Sequence, residues 1–446
     1  MIAQHSGGIV TVQTYIRGTT ATTIASSVES ALNAGRVAPG TLLPPVRRIA
    51  AELAVSPATV AAAYRLLRDR GLVVTDGRRG TRLRHGAPVA AAARFLPLPS
   101  GVRDLASGNP DPALLPLLNV KTMRQRLYNE ALNNRALVDL AARAFEADHV
   151  PASHIGVVSG ALDGIERVLR EHVRPGDRVA VEDPCFTGIT DILAALALIP
   201  VPIPVDQEGP LVAGLRGALQ RELKALIVIP RAQNPTGAAI TPRRQRALRA
   251  VLSDHPELLL IEDDHAGPVA GAPYATLVDE SRPHWAVVRS VSKSLGPDLR
   301  VALLAGDAET VARVEGRQTL GIRWVSHLLQ ELVVMLWRDR RTTRLLARAA
   351  ATYKERREAL IDALAERGIA AFGSSGLNVW IPLHEESAAV QSLLQCGWAV
   401  RAAESYRIKS GPAIRVTTAS LEPHDALRFA DDLESILSPR RRTSMT

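Results

Sequence analysis

One lysine in the second half of the chain lies in a segment that favours covalent chemistry. Lys293 stands between two serines in SVSKSLGPDLR (290–300), which overlaps the end of the apolar run WAVVRSV. A lysine amine condenses with an aldehyde once burial and neighbouring charge lower its pKa. The other polar side chains that concern us in this segment are Ser290, Ser292 and Arg300. Because hydroxyls and an arginine suit a phosphate, the segment predicts a site for an anionic compound that carries an aldehyde.

Polar and aromatic side chains follow three other apolar runs. They are Phe186 in EDPCF, Asn234 in RAQNPTG, and Asp263, Asp264 and His265 in IEDDHAG. Two acids at the end of a buried strand are costly unless a cation or a protonated group pairs with them. A pyridine nitrogen keeps its proton beside such a carboxylate, an amide donates to a phenolic oxygen, and a phenyl ring stacks on another ring. Together these residue types predict an aromatic, anionic cofactor with an aldehyde.

These side chains need one edge of a sheet to bring them together. From about residue 155, strand-like runs alternate with amphipathic helical stretches; the runs are HIGVVSG, DRVAVEDP, ALIVIP, LLLIEDD and WAVVRSVS. Such alternation is typical of an α/β domain with a mainly parallel sheet, which binds ligands at the carboxyl ends of its strands. The first turn, SGALDG, adds the backbone N–H groups of Gly160, Ala161 and Leu162, which would face an anion at a helix N-terminus.

Residues 1–88 carry most of the positive charge of the chain. They contain eleven arginines and four acidic residues, so their net charge is +7 of the chain's +9. Three helical stretches precede LVVTDGRRGTRLR, which predicts two strands around a basic turn. Ser56 is the expected N-cap of the third helix and Pro57 its first residue. Two short helices joined at Ala54-Val55, followed by a basic wing, predict a winged helix-turn-helix that binds double-stranded DNA.

The bulk composition predicts a soluble protein of several domains. Its 446 residues exceed one ordinary core, and its two cysteines, Cys185 and Cys396, indicate a reducing compartment rather than a disulfide scaffold. The sequence shows no signal peptide and no apolar run of the roughly 18 residues that a membrane span needs. We therefore expect a cytoplasmic protein without a membrane partner, and we predict no metal site. The expected divisions are a DNA-binding domain at 1–85, a linker at 86–102, a large domain at 103–437 and a basic tail at 438–446.

The N-terminal stretch resembles the GntR-type winged helix-turn-helix family. The matching segments are LPPVRRIAAELAVS, the pair Gly71-Leu72 and GRRGT at 77–81. The resemblance implies that DNA is contacted by Arg47, Arg48, Ser56, Thr59, Tyr64, Arg78 and Arg79. Pro57 stands where the family usually has an arginine, so one phosphate or base contact is lost there.

Residues 103–437 resemble a fold-type I aminotransferase domain, which binds pyridoxal 5′-phosphate (PLP). The motifs that carry the resemblance are LASGNPDPALLP (105–116), SGAL, EDPCF, NPTG, EDDH and SxSKxxxPxxR. The fold implied is a mainly parallel α/β domain with a smaller C-terminal α/β subdomain. The implied contacts to PLP are an internal aldimine at Lys293, Asp263 on the pyridine nitrogen, Asn234 on the phenolic oxygen, Phe186 on the ring, and Ser290, Ser292, Arg300 and the amides of Gly160, Ala161 and Leu162 on the phosphate. Arg415, with Asn109, is implied to bind a substrate or effector.

A winged helix placed ahead of such a domain resembles the MocR subgroup of GntR regulators. The resemblance implies a head-to-tail homodimer and a transcriptional regulator that senses an amino acid, an amine or PLP through aldimine chemistry at Lys293. His265 stands where the family generally has a tyrosine that donates to PLP, so we expect transamination to be slow or absent. Two alternatives stay open: an active PLP-dependent aminotransferase or related biosynthetic enzyme that retains a winged helix, and a sensor for which PLP itself is the signal.

Overall fold

The computed structural model of the protein describes residues 12–33, 36–37, 41–69, 72–75, 81–83, 98–118, 127–128 and 130–437. The chain divides into two compact units, formed mainly by residues 1–96 and by residues 97–446. Of the predicted linker, only residues 98–102 are among those described, and the predicted tail at 438–446 lies outside them. Within the described residues, no helix is both long enough and apolar enough to cross a membrane.

The N-terminal unit is a winged helix-turn-helix. Its elements are α1 (Ala21–Asn33), α2 (Val46–Glu52), α3 (Pro57–Asp69), β1 (Val73–Thr75) and β2 (Thr81–Leu83). The two strands pair antiparallel, with Val74 opposite Arg82. Apolar side chains at helical spacing form the core, in which Ile24, Val28, Ile49, Val60 and Leu67 are fully buried. The predicted three helices and two strands are confirmed.

The turn between α2 and α3 is tight because one residue takes a left-handed conformation. Ala54 has a φ of +53°, and the N–H of Val55 donates to the carbonyl of Ala50 at 3.0 Å, which closes α2. The hydroxyl of Ser56 accepts from the backbone N–H of Thr59 at 3.1 Å, and α3 begins at Pro57. The predicted N-cap and first helical residue are therefore confirmed.

The C-terminal unit is an α/β domain with a large sheet and two smaller ones. Its strands are β3 (Arg103–Asp104), β4 (Ile155–Val158), β5 (Arg178–Asp183), β6 (Ile199–Asp206), β7 (Gly209–Pro210), β8 (Leu223–Val228), β9 (Leu259–Asp264), β10 (Trp285–Ser290), β11 (Ala302–Gly306), β12 (Asn378–Pro382), β13 (Trp398–Ala399), β14 (Arg401–Ala402) and β15 (Ala413–Thr417). The large sheet has the order β4-β11-β10-β9-β8-β5-β6-β7. The strands β5, β8, β9 and β10 run parallel to one another, as the alternation of strands and helices predicts.

β11 departs from that alternation, because the chain turns back directly after β10. The connection contains Lys293, makes a 3-10 turn at Pro297–Leu299 and leaves it at Arg300 with a φ of +47°. Without a crossover helix the returning strand is antiparallel, and β11 pairs antiparallel with both β10 and β4. Every residue of β10 and β11 is buried, so the lysine segment is held at both ends by strands of the core.

Ten helices pack on these sheets. They are α4 (Arg135–Ala147), α5 (Ala161–His172), α6 (Thr187–Ala195), α7 (Val212–Leu219), α8 (Pro242–Leu252), α9 (Ala308–Thr319), α10 (His327–Arg338), α11 (Arg340–Ala365), α12 (Glu386–Gln395) and α13 (Pro423–Leu437), as counted over the described ranges. The strands β12, β15 and β14 form the sheet of a smaller C-terminal subdomain. Its core includes Trp398 and Phe429, whose rings meet edge to face at 5.6 Å.

Candidate functional site

A cavity of about 200 Å³ lies where the strands of the large sheet end. Eleven residues predicted from the sequence line it: Ala161, Leu162, Phe186, Asn234, Asp263, His265, Ser290, Ser292, Lys293, Arg300 and Arg415. They lie at or just after the carboxyl ends of β4, β5, β8, β9 and β10, except Arg415, which β15 of the smaller subdomain contributes. The cavity therefore brings together polar and aromatic side chains from segments that span more than half of the chain.

Lys293 is the amine of this cavity. Its Nζ donates to the backbone carbonyl of Gly108 at 2.6 Å. Burial, with a smaller contribution from the positive charge of Arg415, lowers the pKa of Lys293 from 10.5 to about 8. A fraction of this amine is therefore neutral near pH 7, and only the neutral amine is a nucleophile.

Asp263 is a buried carboxyl group that lacks a full set of partners. Its side chain lines the cavity and is 2% exposed, and among the described residues none donates a hydrogen bond to its Oδ1. Burial, together with the negative charge of Asp264, raises the pKa of Asp263 from 3.8 to about 7. A buried acceptor without a partner is costly, so a cation or a protonated ring nitrogen in the cavity would stabilise it.

Asp264 is the next residue of β9, and it is fully paired with arginine. Arg231 donates to its two oxygens at 2.9 and 2.8 Å, and the Nε of Arg289 donates at 2.6 Å. Burial opposes the charge of Asp264, yet the two guanidinium groups hold its pKa below the ordinary value. Successive residues of a strand face opposite sides of the sheet. This explains why Asp264 is paired with two arginines while Asp263 faces the cavity.

His265 follows β9 and also lines the cavity. Burial is the main reason that its pKa falls from 6.5 to about 4, and the positive charge of Lys293 lowers it further. The imidazole is therefore neutral near pH 7. A neutral imidazole carries its N–H donor and its acceptor on two separate nitrogens, whereas a tyrosine hydroxyl carries both on one oxygen.

Asn234 and Arg415 are bonded to each other. The Nη1 of Arg415 donates to Oδ1 of Asn234 at 3.1 Å, and its guanidinium lies 5.2 Å from the centre of the Tyr406 ring. The Nη2 of Arg415 donates to the carbonyl of Ala106, and its buried Nε has no partner among the described residues. The pair leaves the amide nitrogen of Asn234 and the Nε of Arg415 as donors for a ligand.

Two glycines permit close contacts with side chains that line the cavity. Gly160 precedes α5 with a φ of +103°, and a Cβ at this position would lie 2.7 Å from Nη2 of Arg300. A Cβ at Gly188 would lie 2.8 Å from the ring of Phe186. The hydroxyl of Ser290 donates to that of Ser292 at 2.9 Å. Arg300 therefore approaches the first turn of α5, where unpaired amides favour an anion.

Some residues differ from expectation. Neither Asn109 nor Gly160 is among the lining residues. The Nδ2 of Asn109 donates to the hydroxyl of Ser107 at 2.9 Å. Four lining residues were missed: Ser107, Gly108, Leu377 and Asn378. The motif LASGNPDPALLP was the available signal for the first two. Leu377 directly precedes β12 and Asn378 begins it, and no local pattern connects that strand with the lysine segment.

In the N-terminal unit the predicted DNA contacts have different surroundings. Arg47 and Arg48 are exposed on α2, and Thr59 lies on the first turn of α3. The structure contradicts the predicted DNA contact at Tyr64. The side chain is buried in the core, and its hydroxyl donates to the carbonyl of Pro44 at 2.8 Å, so Tyr64 helps to hold α3 in place. Arg78 and Arg79 lie outside the described residues.

The titration of His265 leads to a testable pH dependence. Its pKa is about 4 in the folded protein and 6.5 as the ordinary value, so between these values the unfolded chain binds more protons and stability falls as the pH is lowered. Asp263, with its pKa raised to about 7, acts in the opposite direction between pH 3.8 and 7. We expect His265→Gln to remove about 1–3 kcal/mol of the acid-induced loss of stability. Urea unfolding of both proteins, at a pH inside this window and at a pH above it, checks this; equal pH dependences would contradict it.

Known proteins resemble the chain over both units. Residues 121–433 match the family Aminotransferase class I and II, and residues 20–83 match the bacterial regulatory proteins of the gntR family. The chain is 38% identical to the vitamin B6 salvage pathway transcriptional repressor PtsJ of Salmonella typhimurium over 430 residues, which cover 95% of this chain and 100% of that protein. It is 26% identical to the HTH-type transcriptional regulator TauR of Rhodobacter capsulatus, with 79% of this chain and 81% of TauR covered.

The solved structures agree with the fold. LysN, the α-aminoadipate aminotransferase of Thermus thermophilus, superposes with a TM-score of 0.69 at 22% identity, covering 79% of this chain and 95% of LysN. The kynurenine aminotransferase of Pyrococcus horikoshii gives a TM-score of 0.68 at 18% identity, covering 76% of this chain and 91% of that enzyme. The winged helix-turn-helix, the fold-type I domain and the match to PtsJ over its whole length show that the chain belongs to the MocR-type transcriptional regulators of the GntR family.

Proposed function

We propose that the C-terminal domain binds PLP at Lys293 and that the state of this site changes the binding of the N-terminal domain to DNA. One observation carries the proposal: a single cavity holds a lysine with a lowered pKa and a buried carboxyl group whose Oδ1 has no described partner. An amine and an unpaired carboxyl in one pocket suit a cofactor that carries an aldehyde and a basic ring nitrogen.

The residues around the cavity fit this cofactor. Asp263 would pair with the pyridine nitrogen, which would supply the missing partner of Oδ1. Phe186, beside Gly188, would lie against the ring. The phosphate would be held by Ser290, Ser292, Arg300 and the first amides of α5, which combine hydroxyls, a guanidinium and a helix N-terminus.

When bound, PLP supplies an aldehyde that condenses with a primary amine and a ring that withdraws electrons. Lys293 provides that amine, and the carbonyl of Gly108 orients it through the hydrogen bond at 2.6 Å. Asp263 would accept a hydrogen bond at Oδ1 from the protonated ring nitrogen, which keeps the proton on the ring. Asn234 donates through Nδ2, because Arg415 occupies its oxygen. His265 offers one neutral N–H in place of a tyrosine hydroxyl, so the donor strength at this position differs from that of the aminotransferases.

The signal that we propose is PLP, or an amino acid or amine that reacts with it. The name of the relative PtsJ, a vitamin B6 salvage repressor, supports PLP as the signal. The buried Nε of Arg415, which no described residue accepts from, supports an amino acid with a free carboxylate as the alternative signal. Footprinting of DNA upstream of the chain's own gene and its neighbours, with and without PLP and with a panel of amino acids, tests the proposal. Binding that is identical under all of these conditions would contradict it.

Catalytic transamination is the second candidate function, because Lys293, Asp263, Asn234 and Arg415 are all present in one cavity. Spectra of the PLP-loaded protein mixed with amino acids test it. Conversion to the pyridoxamine form at rates of roughly 1 per second or faster would favour an enzyme, since this is an ordinary turnover rate.

We further propose a head-to-tail homodimer. The exposed apolar side chains of Leu117, Tyr128, Leu320 and Ile322 support association of two copies, while the head-to-tail arrangement rests on the resemblance alone. Sedimentation of the full chain measures whether a dimer forms.

Arg47, an exposed arginine of α2, allows the proposed DNA binding to be tested with one substitution. We expect Arg47→Gln to weaken binding to duplex DNA of unrelated sequence and to reduce the slope of log K against log salt by about 0.9, which corresponds to one lost phosphate contact. Arg135→Gln is the matched control, because Arg135 is an exposed arginine on α4 of the other unit, with its side chain 92% exposed. Fluorescence polarisation over a salt series measures both variants. An unchanged slope for Arg47→Gln would show that Arg47 does not contact the backbone of DNA.

A further inference from the structure

A second cavity lies in the C-terminal unit, and it shares no lining residue with the first. Its volume is about 390 Å³, which falls in the range of pockets that hold small molecules, roughly 300–1,000 Å³. The apolar part of its wall consists of Pro184, Pro204, Val205, Phe372 and Trp380. Trp380 is 6% exposed. Val205 is half-buried, and its neighbours Pro204 and Asp206, which also line the cavity, are exposed; these three residues form the rim. The cavity thus combines a buried aromatic wall with an accessible edge.

The two acidic groups and the threonine hydroxyl of the wall already have partners within the protein. Asp183 accepts from the backbone N–H groups of 408–410 and from the hydroxyl of Ser410, at 2.8–3.0 Å. The hydroxyl of Thr236 donates to the side chain of Gln233 at 2.5 Å. Asp206 receives two hydrogen bonds from Arg244, at 3.1 and 2.7 Å. A charged ligand would find its counter-charges engaged and would lose its hydration, so the cavity favours an uncharged ring.

Packed side chains connect this cavity with the first one. Trp380 of β12 lies directly opposite Arg415 of β15, and directly paired residues of neighbouring strands share a face of the sheet. The ring of Trp380 meets that of Tyr406 edge to face at 6.4 Å, and the guanidinium of Arg415 lies 5.2 Å from the centre of the same Tyr406 ring. A ligand that shifts Trp380 would therefore shift the support of Arg415.

Two loops also contribute to both cavities. Pro184 lines the second cavity and Phe186 the first, while Thr236 lines the second and Asn234 the first. A residue and its second neighbour along a short loop do not move independently. Occupation of one cavity is thus expected to carry a coupling free energy to the other.

We propose that the second cavity binds an uncharged aromatic compound, and that its occupation changes the affinity of the first cavity for PLP. The coupling rests on the proposed binding of PLP, whereas the binding site itself does not. By reciprocity, PLP changes the affinity for the aromatic compound by the same factor.

Titration of the full-length protein with indole, an uncharged planar ring with one N–H donor, tests the site. Indole binding is measured by calorimetry in three proteins: wild type, Val205→Trp, which fills the rim of the cavity, and Leu427→Trp, which adds the same ring at a 48% exposed position of α13. We expect Val205→Trp to weaken binding by about tenfold or more, a loss of at least about 1.4 kcal/mol, and Leu427→Trp to leave it unchanged. Phe372→Leu, which removes one ring of the wall, is a further variant that preserves an apolar side chain and is also expected to weaken binding.

The outcomes are distinct. If indole binds all four proteins equally, or binds none of them, the proposal that the second cavity is a binding site is wrong. If indole binds as expected, the apparent Kd of PLP in wild type is expected to change by about fivefold or more at saturating indole, and to stay constant in Val205→Trp. An unchanged Kd in wild type would overturn the coupling. A wild-type protein that binds indole but no PLP would contradict the proposed function and leave the second site standing.

Discussion

Replacing Lys293 with alanine is expected to abolish covalent attachment of PLP while the fold is retained. The side chain is the only described lysine amine in the first cavity, and its lowered pKa makes it a nucleophile near pH 7. We expect borohydride reduction of the PLP-treated wild type to leave one pyridoxyl group on the peptide that contains Lys293. In Lys293→Ala the visible absorbance of the bound cofactor and this adduct are both expected to be lost. Absorbance spectra and peptide mass spectrometry measure the two results.

Lys224→Ala is the matched control for this experiment. Lys224 lies exposed on β8, outside the cavity, so its loss is expected to leave both the absorbance and the adduct unchanged. Thermal unfolding of both variants distinguishes loss of chemistry from loss of fold. A reduced adduct on any lysine other than Lys293 in the wild type would contradict the assignment.

Removing the charge of Asp264 is expected to destabilise the protein by about 3–5 kcal/mol, because it leaves buried guanidinium groups without their main partner. In Asp264→Ala, Arg231 and Arg289 keep only Asp148 as an acidic partner, at 3.4 and 2.6 Å. Both arginine side chains are less than one tenth exposed, so water compensates for little of the loss. Urea unfolding at pH 7 measures the change in the free energy of unfolding.

Asp431→Ala is the surface counterpart of this variant. Asp431 pairs with Arg367 at 2.6 Å, but its side chain is 64% exposed, so we expect its removal to change stability by less than about 1 kcal/mol. If the two variants lose the same stability, then burial does not strengthen the pairing at Asp264. Asp264→Asn, which keeps the shape of the side chain and removes its charge, is expected to lie between them and to lower the pKa of Asp263, since the charge of Asp264 contributes to raising that pKa.

The sequence by itself predicted several of the strands and helices and most of the chemical groups of the first cavity. Periodicity of apolar residues is a local property, and it identified the strands that precede Asn234, His265 and Lys293 as well as the three helices of the N-terminal unit. The order of strands and helices was enough to predict that the residues after these strands meet at one edge of a sheet, because parallel strands place their carboxyl ends together.

Only the tertiary structure decided which of these groups are paired and which are left free. Asp263 and Asp264 are neighbours in the sequence, yet Oδ1 of Asp263 has no partner among the described residues whereas Asp264 is held by two arginines, since the two acids face opposite sides of β9. Tyr64 fits a DNA-contacting pattern but is buried against Pro44. Asn378 and the second cavity depend on contacts between segments far apart in the chain. Such contacts depend on how all elements of the domain pack together, and a local sequence pattern carries no information about that packing.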